Sequence, residues 1–261
     1  MSGSGVIVFN STEDNVTRVG VALPVQNFTV ALGEGTWNGL GLETDNGVRA
    51  NRAAQITMDA SGLVTAASYC TDMINCETLS GASLPELRLE LNASGGFNLR
   101  NVTEGKQSRA VAFRPGGGIP VIVELFESGE LFFWSRDRTL TLPTVTGNLS
   151  ASWNHTLNNN LTAAAVNESA NTVVSVDAAT GRYQRDAIFN FGTGATQRET
   201  LATNDPRNGY IRRLAETVTG SDGSTRNIAP WILMSLPGAG FTPVALQSAA
   251  QSLIISVGKT Q

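Results

Sequence analysis

The chain has 261 residues and 27.5 kDa, enough for one large β domain or two modules of ordinary size. Hydrophobic residues make up 41% and charged residues only 15%, so polarity comes from Ser, Thr, Asn and Gly, which suit exposed strands and turns better than solvated helices. A net charge of −4 and a pI near 5.1 exclude the basic face a nucleic-acid partner needs, and regular apolar patterning excludes wholesale disorder.

The chain opens on Met1-Ser2-Gly3-Ser4-Gly5, a flexible tract that reads equally as a cloning linker or as the tether of an exported protein whose leader is gone. The second reading leaves room for a lipid anchor ahead of it. No stretch reaches 18 apolar residues, so no transmembrane helix is expected. Val6, Ile7, Val8 and Phe9 then form an apolar strand at the very edge of the chain, and Leu253–Val257 mirror it at the other end. An unpaired terminal strand can complete a neighbour's sheet, so Val6–Phe9 are the candidate self-assembly strand.

Short apolar alternations divided by Gly, Asn, Asp or Pro recur along the whole chain. They predict strands near Gly5–Phe9, Arg18–Leu23, Phe28–Leu32, Ala53–Asp59, Leu63–Tyr69, Leu87–Asn92, Gly96–Val102, Arg109–Arg114, Pro120–Phe126 and Glu130–Arg136. Beyond these come Leu140–Thr146, Ser150–Leu157, Thr172–Asp177, Arg182–Phe191, Gln197–Thr203, Tyr210–Val218, Trp231–Leu236 and Ser252–Gly258. Tight turns such as Asp59-Ala60-Ser61-Gly62, Asn92-Ala93-Ser94-Gly95 and Glu127-Ser128-Gly129 separate them, their glycines 33 and 34 residues apart. Helical signals are few: Thr242-Pro243 could cap a helix through Ala250, and the Ala-rich Leu161–Ala170 could form another. The fold class expected is all-β, with antiparallel sandwich or barrel modules and few short helices. The expected division is an N-terminal extension (1–16), a first β module (17–147), an Asn/Ala-rich connection (148–170) and a second β module (171–261).

Cys70 and Cys76 are the chain's two cysteines, and His155 is its single histidine. A spacing of six fits neither C-x-x-C redox chemistry nor the short gaps of a zinc cage, and no second ligand pair exists. Two readings remain, a pair of reduced core thiols or a disulfide; the disulfide is preferred, and it implies an oxidising, extracytoplasmic compartment. Its closed loop would restrict the unfolded chain by about 2 kcal/mol. Nine N-x-S/T sequons occur, from Asn10 to Asn167, and are read as the by-product of a Thr/Asn-rich β surface rather than as glycosylation sites. Only Lys106 and Lys259 are lysines against 16 arginines, which fits a GC-rich bacterial genome.

No P-loop, H-E-x-x-H, EF-hand loop, dinucleotide fingerprint or G-x-S-x-G elbow is present, so no catalytic residue, metal site or cofactor is assigned. A His-dependent nucleophile would have to use His155. Glu124, Glu127 and Glu130 could supply the opposed carboxylates that sugar hydrolysis requires. The candidate ligand-binding residues are Trp134, Phe132 and Arg136; in a strand Phe132 and Trp134 share one side while Phe133 faces the other.

Gly35-Thr36-Trp37-Asn38-Gly39-Leu40-Gly41, with Gln55 to Thr65 after it, resembles the opening of avidin-like and lipocalin-like barrels over about 30 residues. The rest shows no avidin pattern and exceeds one such barrel; in general look the chain is similar to secreted or surface lipoproteins of GC-rich bacteria. The barrel resemblance implies that Trp37 closes a barrel floor rather than touching a ligand. The expected function is a non-enzymatic extracytoplasmic envelope or surface β protein that binds a ligand, a protein or carbohydrate partner, or copies of itself. The alternative is a secreted hydrolase of polysaccharide or ester working through paired carboxylates.

Overall fold

The computed structural model describes residues 5–24, 26–45, 47–70, 74–145, 147, 149–160, 162–189, 196–219, 225–247 and 252–258. The protein is all-β; among the described residues the helical elements are three short 3-10 turns. Among the described residues no helix is long and apolar enough to cross a membrane, which says nothing about strands.

Two rolled sheets are stacked against each other. The first holds β3 (Gly35–Asp45), β4 (Val48–Met58), β5 (Val64–Cys70), β6 (Cys76–Leu79), β7 (Leu87–Leu91), β8 (Phe97–Asn101), β9 (Lys106–Phe113), β10 (Val121–Leu125) and β11 (Leu131–Arg136). Their order, β6-β5-β4-β3-β11-β10-β9-β8-β7, is an antiparallel meander in which β11 returns to pair with β3. The sheet curls until its ends meet at one corner, where Leu63 bridges Arg88 and the Leu89 amide donates to Gly62 O at 2.8 Å. Gly62 can make that approach because its φ is +84° and a Cβ there would lie 2.4 Å from Leu89 O. Asp59 Oδ1 caps the same turn by accepting the amides of Ser61 and Leu63.

The second sheet closes completely. β12 (Ser150–Leu157), β13 (Ala163–Asp177), β14 (Arg182–Phe189), β15 (Thr196–Thr203), β16 (Tyr210–Arg213), β19 (Trp231–Met234), β20 (Phe241–Leu246) and β21 (Leu253–Gly258) form an eight-stranded barrel, with a hairpin of β17 (Glu216–Thr219) and β18 (Thr225–Ile228) inserted after β16. β12 pairs with β21, so the barrel has no edge.

The main core lies between the two. Leu40, Leu42, Val121, Val123, Leu131 and Phe133 on the outer face of the first sheet pack on Ile232, Met234, Phe241, Ala245, Leu253 and Ile255 of the barrel. Polar bonds cross the same seam: Tyr210 Oη donates to Gly39 O at 2.7 Å, and Asn51 Nδ2 donates to Leu246 O and Ser252 O. Strands β3, β10 and β11 are therefore covered on both faces, which is why Leu131-Phe132-Phe133-Trp134 is an unbroken apolar run.

Several expected elements differ. Residues 150–157 and 163–170 of the expected connection are β12 and the first half of β13, so the Ala-rich stretch is strand and not helix. Phe241–Leu246 is also strand rather than a helix capped by Pro243, and 248–251 lie outside the described residues. Pro243 pairs with Ile255 on β21, while the β19 ladder ends at Val244, so the missing N–H is not needed on that side. Phe28–Leu32, expected as strand, runs into a 3-10 turn at Val30–Gly33. Leu140–Thr146 joins no sheet over its described residues; the Asn204 side chain takes the place of a ladder by bonding both Leu140 N and Leu140 O. β3 was not among the strands read from alternation; the barrel resemblance at Gly35–Gly41 alone pointed to a strand beginning there.

Cys70 and Cys76 form a disulfide between directly opposed positions of β5 and β6. Residues 7–13 of the expected extension form β1 (Ile7–Glu13), which pairs in a hairpin with β2 (Val16–Ala22). The hairpin lies on β12 and β13, Val6 is buried in the core between the sheets, and Val8 packs at its margin. Ile7 and Phe9 are 41% and 42% exposed. Leu253–Val257 is the opposite of a free edge, being paired with β12 on one side and β20 on the other.

Candidate ligand cavity in the first sheet

Alternation decides which side chains the curled sheet encloses. Trp37, Gly39 and Gly41 of β3 face inward opposite Arg136, Trp134 and Phe132 of β11. The glycines are a packing requirement: a Cβ on Gly39 would lie 2.5 Å from the rings of both Phe132 and Trp134, and one on Gly41 2.6 Å from Phe132. The two rings therefore lie across β3, 4.9 Å apart between centroids. Phe133, between them, points to the other sheet and packs 5.4 Å from Phe241.

One end of the curl is closed. Trp37 is fully buried and its Nε1–H donates to Gly33 O at 2.7 Å, while Phe28, Val30 and Leu32 pack beside it. Arg136 belongs to this plug. Its guanidinium stacks 4.4 Å from the Trp37 ring centroid and donates to Leu32 O and Glu34 O.

Above the plug lies a cavity of about 790 Å³ whose walls include Phe132, Trp134, Ile56, Leu99, Leu79 and Leu87. It adjoins the β6–β7 gap, where the meander does not close. Glu124 stands between plug and cavity, with Ser108 Oγ hydrogen-bonded to its carboxyl and the Trp134 Nε1–H donating to it at 2.8 Å. Burial raises the Glu124 pKa above the ordinary glutamate value, and the bonds from Ser108 and Trp134 only partly offset it. Tyr69, on the cavity wall, accepts at its Oη a hydrogen bond from Arg52 Nε at 2.6 Å.

The three glutamates do not converge. Glu127 is an exposed wall residue of the same cavity, whereas Glu130 faces away, paired with Arg49 at 3.1 Å and bonded by Thr44 and Ser128. Burial raises the Glu130 pKa, but those bonds outweigh it and leave the carboxyl below its usual range. His155 lies on the outer face of β12, its Nδ1 3.2 Å from Asn10 Oδ1, and burial holds its pKa below the ordinary imidazole value. Of the proposed ligand residues, Phe132 and Trp134 meet in the cavity and Arg136 does not. The sequence reading missed Ser108 and Tyr69; only Glu124, an acid inside an apolar strand, signalled that a polar group waits inside.

The chain matches no family model and no curated protein. Among solved structures it is similar to a protein of unknown function from the DUF3598 family of Nostoc punctiforme, at 10% identity and a TM-score of 0.31, over 88% of this chain and 97% of that one.

Proposed function

We propose that this protein is a non-enzymatic, extracytoplasmic binding protein of a bacterial envelope, and that it holds a small, mainly apolar ligand in the first sheet's cavity. The observation that carries the reading is the cavity itself: about 790 Å³, walled by Phe132 and Trp134, with the buried Glu124 carboxyl as its polar floor. That volume lies in the range of roughly 300–1,000 Å³ common for small-molecule sites, as does the pairing of apolar walls with few fixed polar groups. The Cys70–Cys76 disulfide fits an oxidising compartment. Cavity binding is favoured over self-assembly because Val6–Phe9 is engaged within its own chain. It is favoured over hydrolysis because Glu130 is committed to Arg49 and the Glu124 carboxyl is held by Ser108 and Trp134, so neither is set to work opposite Glu127.

Titration with N-phenyl-1-naphthylamine, a neutral apolar fluorophore, tests the reading. Wild type should bind it at micromolar concentrations. Ala67→Trp, which fills the cavity from β5, should weaken binding by about tenfold or more, equivalent to ~1.4 kcal/mol. Equal binding by the two proteins would place the dye elsewhere and remove the proposal.

A further inference from the structure

The closed barrel has an interior of its own, with a different chemistry. Its cavity is about 780 Å³ and has two unlike walls. Trp231, Leu233, Val244 and Ile254, on β19, β20 and β21, make one apolar; Ser152, Asn154, Ser169 and Asn171, on β12 and β13, make the other polar. Asn154 heads a sequon, yet it is buried and donates to Asn167 Oδ1 and Ser169 Oγ.

Ionised groups lie inside this barrel. Register places Arg185 opposite Glu199, and Leu201 opposite Arg213, which itself stands opposite Trp231. Glu199 is fully buried and ion-paired with both guanidiniums: Arg185 Nη2 lies 2.8 Å from its carboxyl and Arg185 Nε donates to it, while Arg213 Nε lies 3.1 Å from the other oxygen without a hydrogen bond. Glu216, whose Oε1 accepts the Thr200 amide, adds a second negative field at Arg213. Arg185 also stacks 5.1 Å from the Trp231 ring centroid.

Arg213 is only 4% exposed and lines the cavity, yet its Nε and Nη2 have no hydrogen-bond partner; the same is true of Gln197 Nε2 on the neighbouring strand. A buried donor left unpaired loses its hydration with nothing in return, a cost that is greater still for a charged group. Three unsatisfied donor atoms in one interior, two of them on a guanidinium, are an unfilled acceptor site. We infer that the closed barrel is a second binding site, for an amphipathic organic carboxylate whose anionic head takes Arg213 Nη2 and Gln197 Nε2 and whose apolar body lies along Trp231, Leu233 and Val244. A guanidinium presents a planar fork that matches a carboxylate, which favours that head group over a hydroxyl or an ester. This site is independent of the first sheet's cavity, whose polar group is a carboxyl and would repel an anion if ionised.

The test compares cis-parinaric acid with its methyl ester, using energy transfer from tryptophan, on wild type and two variants. Arg213→Gln leaves Arg185 and Glu199 as a one-to-one pair, so no buried carboxylate is stranded. Gln197→Leu removes the other donor and leaves every ion pair intact. Wild type should bind the acid at least tenfold more tightly than the ester. Arg213→Gln should abolish that preference without weakening the ester, and Gln197→Leu should reduce it severalfold. Equal affinity of acid and ester in wild type, or a loss in Arg213→Gln shared equally by both, would overturn the assignment. Should Arg213→Gln not fold, the wild-type ratio and Gln197→Leu decide it alone.

Discussion

Gly39→Ala perturbs the point where the sequence motif, the aromatic wall and the buried acid meet. The new methyl carbon would sit 2.5 Å from ring atoms of Phe132 and Trp134, closer than any Cβ contact tolerates, so the rings must move. Trp134 is not free to swing: its Nε1–H is bonded to Glu124 at 2.8 Å and its ring packs 4.9 Å from Phe132. Overpacking of this kind costs about 1–3 kcal/mol. Losing the indole bond to a buried carboxyl adds about 1–3 kcal/mol. The expected destabilisation is therefore about 2–6 kcal/mol, together with a changed near-ultraviolet circular-dichroism signal from the tryptophans. Urea titrations of wild type, Gly39→Ala and a control, Gly258→Ala, measure it; nothing lies within 4 Å of a Cβ at Gly258. A Gly39→Ala midpoint within error of the control would show that the rings do not rest on β3, and with that the description of the cavity wall would fail.

Phe133→Ala empties a fully buried position between the two sheets and should cost about 3–5 kcal/mol. Because that core is shared, fluorescence and far-ultraviolet dichroism should still report one transition, and two separated midpoints would contradict a common core. Glu124→Gln isolates the buried acid. Its native pKa is raised, so the folded state holds the proton longer than the unfolded one, and stability falls as pH rises from the ordinary glutamate range through the raised native value. The variant should lose that slope, so its urea midpoint relative to wild type should climb between pH 4 and pH 8; parallel profiles would mean that Glu124 is ionised in the native protein.

The elements that were legible share one property: their signal is local. Asp59-Ala60-Ser61-Gly62 is a turn because Asp caps its own backbone and glycine accepts positive φ, whatever surrounds it. The pairing of Cys70 with Cys76 needed only nearness in sequence, and the split of Phe132 and Trp134 from Phe133 follows from the pleat. Alternation did not mark β3, because Gly39 and Gly41 take the place of apolar side chains on its inward face; their meaning is supplied by rings about 90 residues away in the chain. The alanines of β13 and the Thr242-Pro243 pair looked helical because helix signals are local too, and only ladder partners on β12 and β21 override them.

Composition, alternation and turn chemistry by themselves determined that this chain is all-β and antiparallel, since each rests on neighbours a few residues apart; the spacing of Cys70 and Cys76 made a disulfide the preferred of two readings, and the structure shows it. Only the tertiary structure decided that one sheet stays partly open while the other closes, and which apolar face meets its partner. It also decided that Glu124 and the Arg185–Glu199–Arg213 cluster end up indoors. Those outcomes depend on strands meeting across long loops, where burial rather than backbone preference sets the energy, and both cavities are made by such meetings.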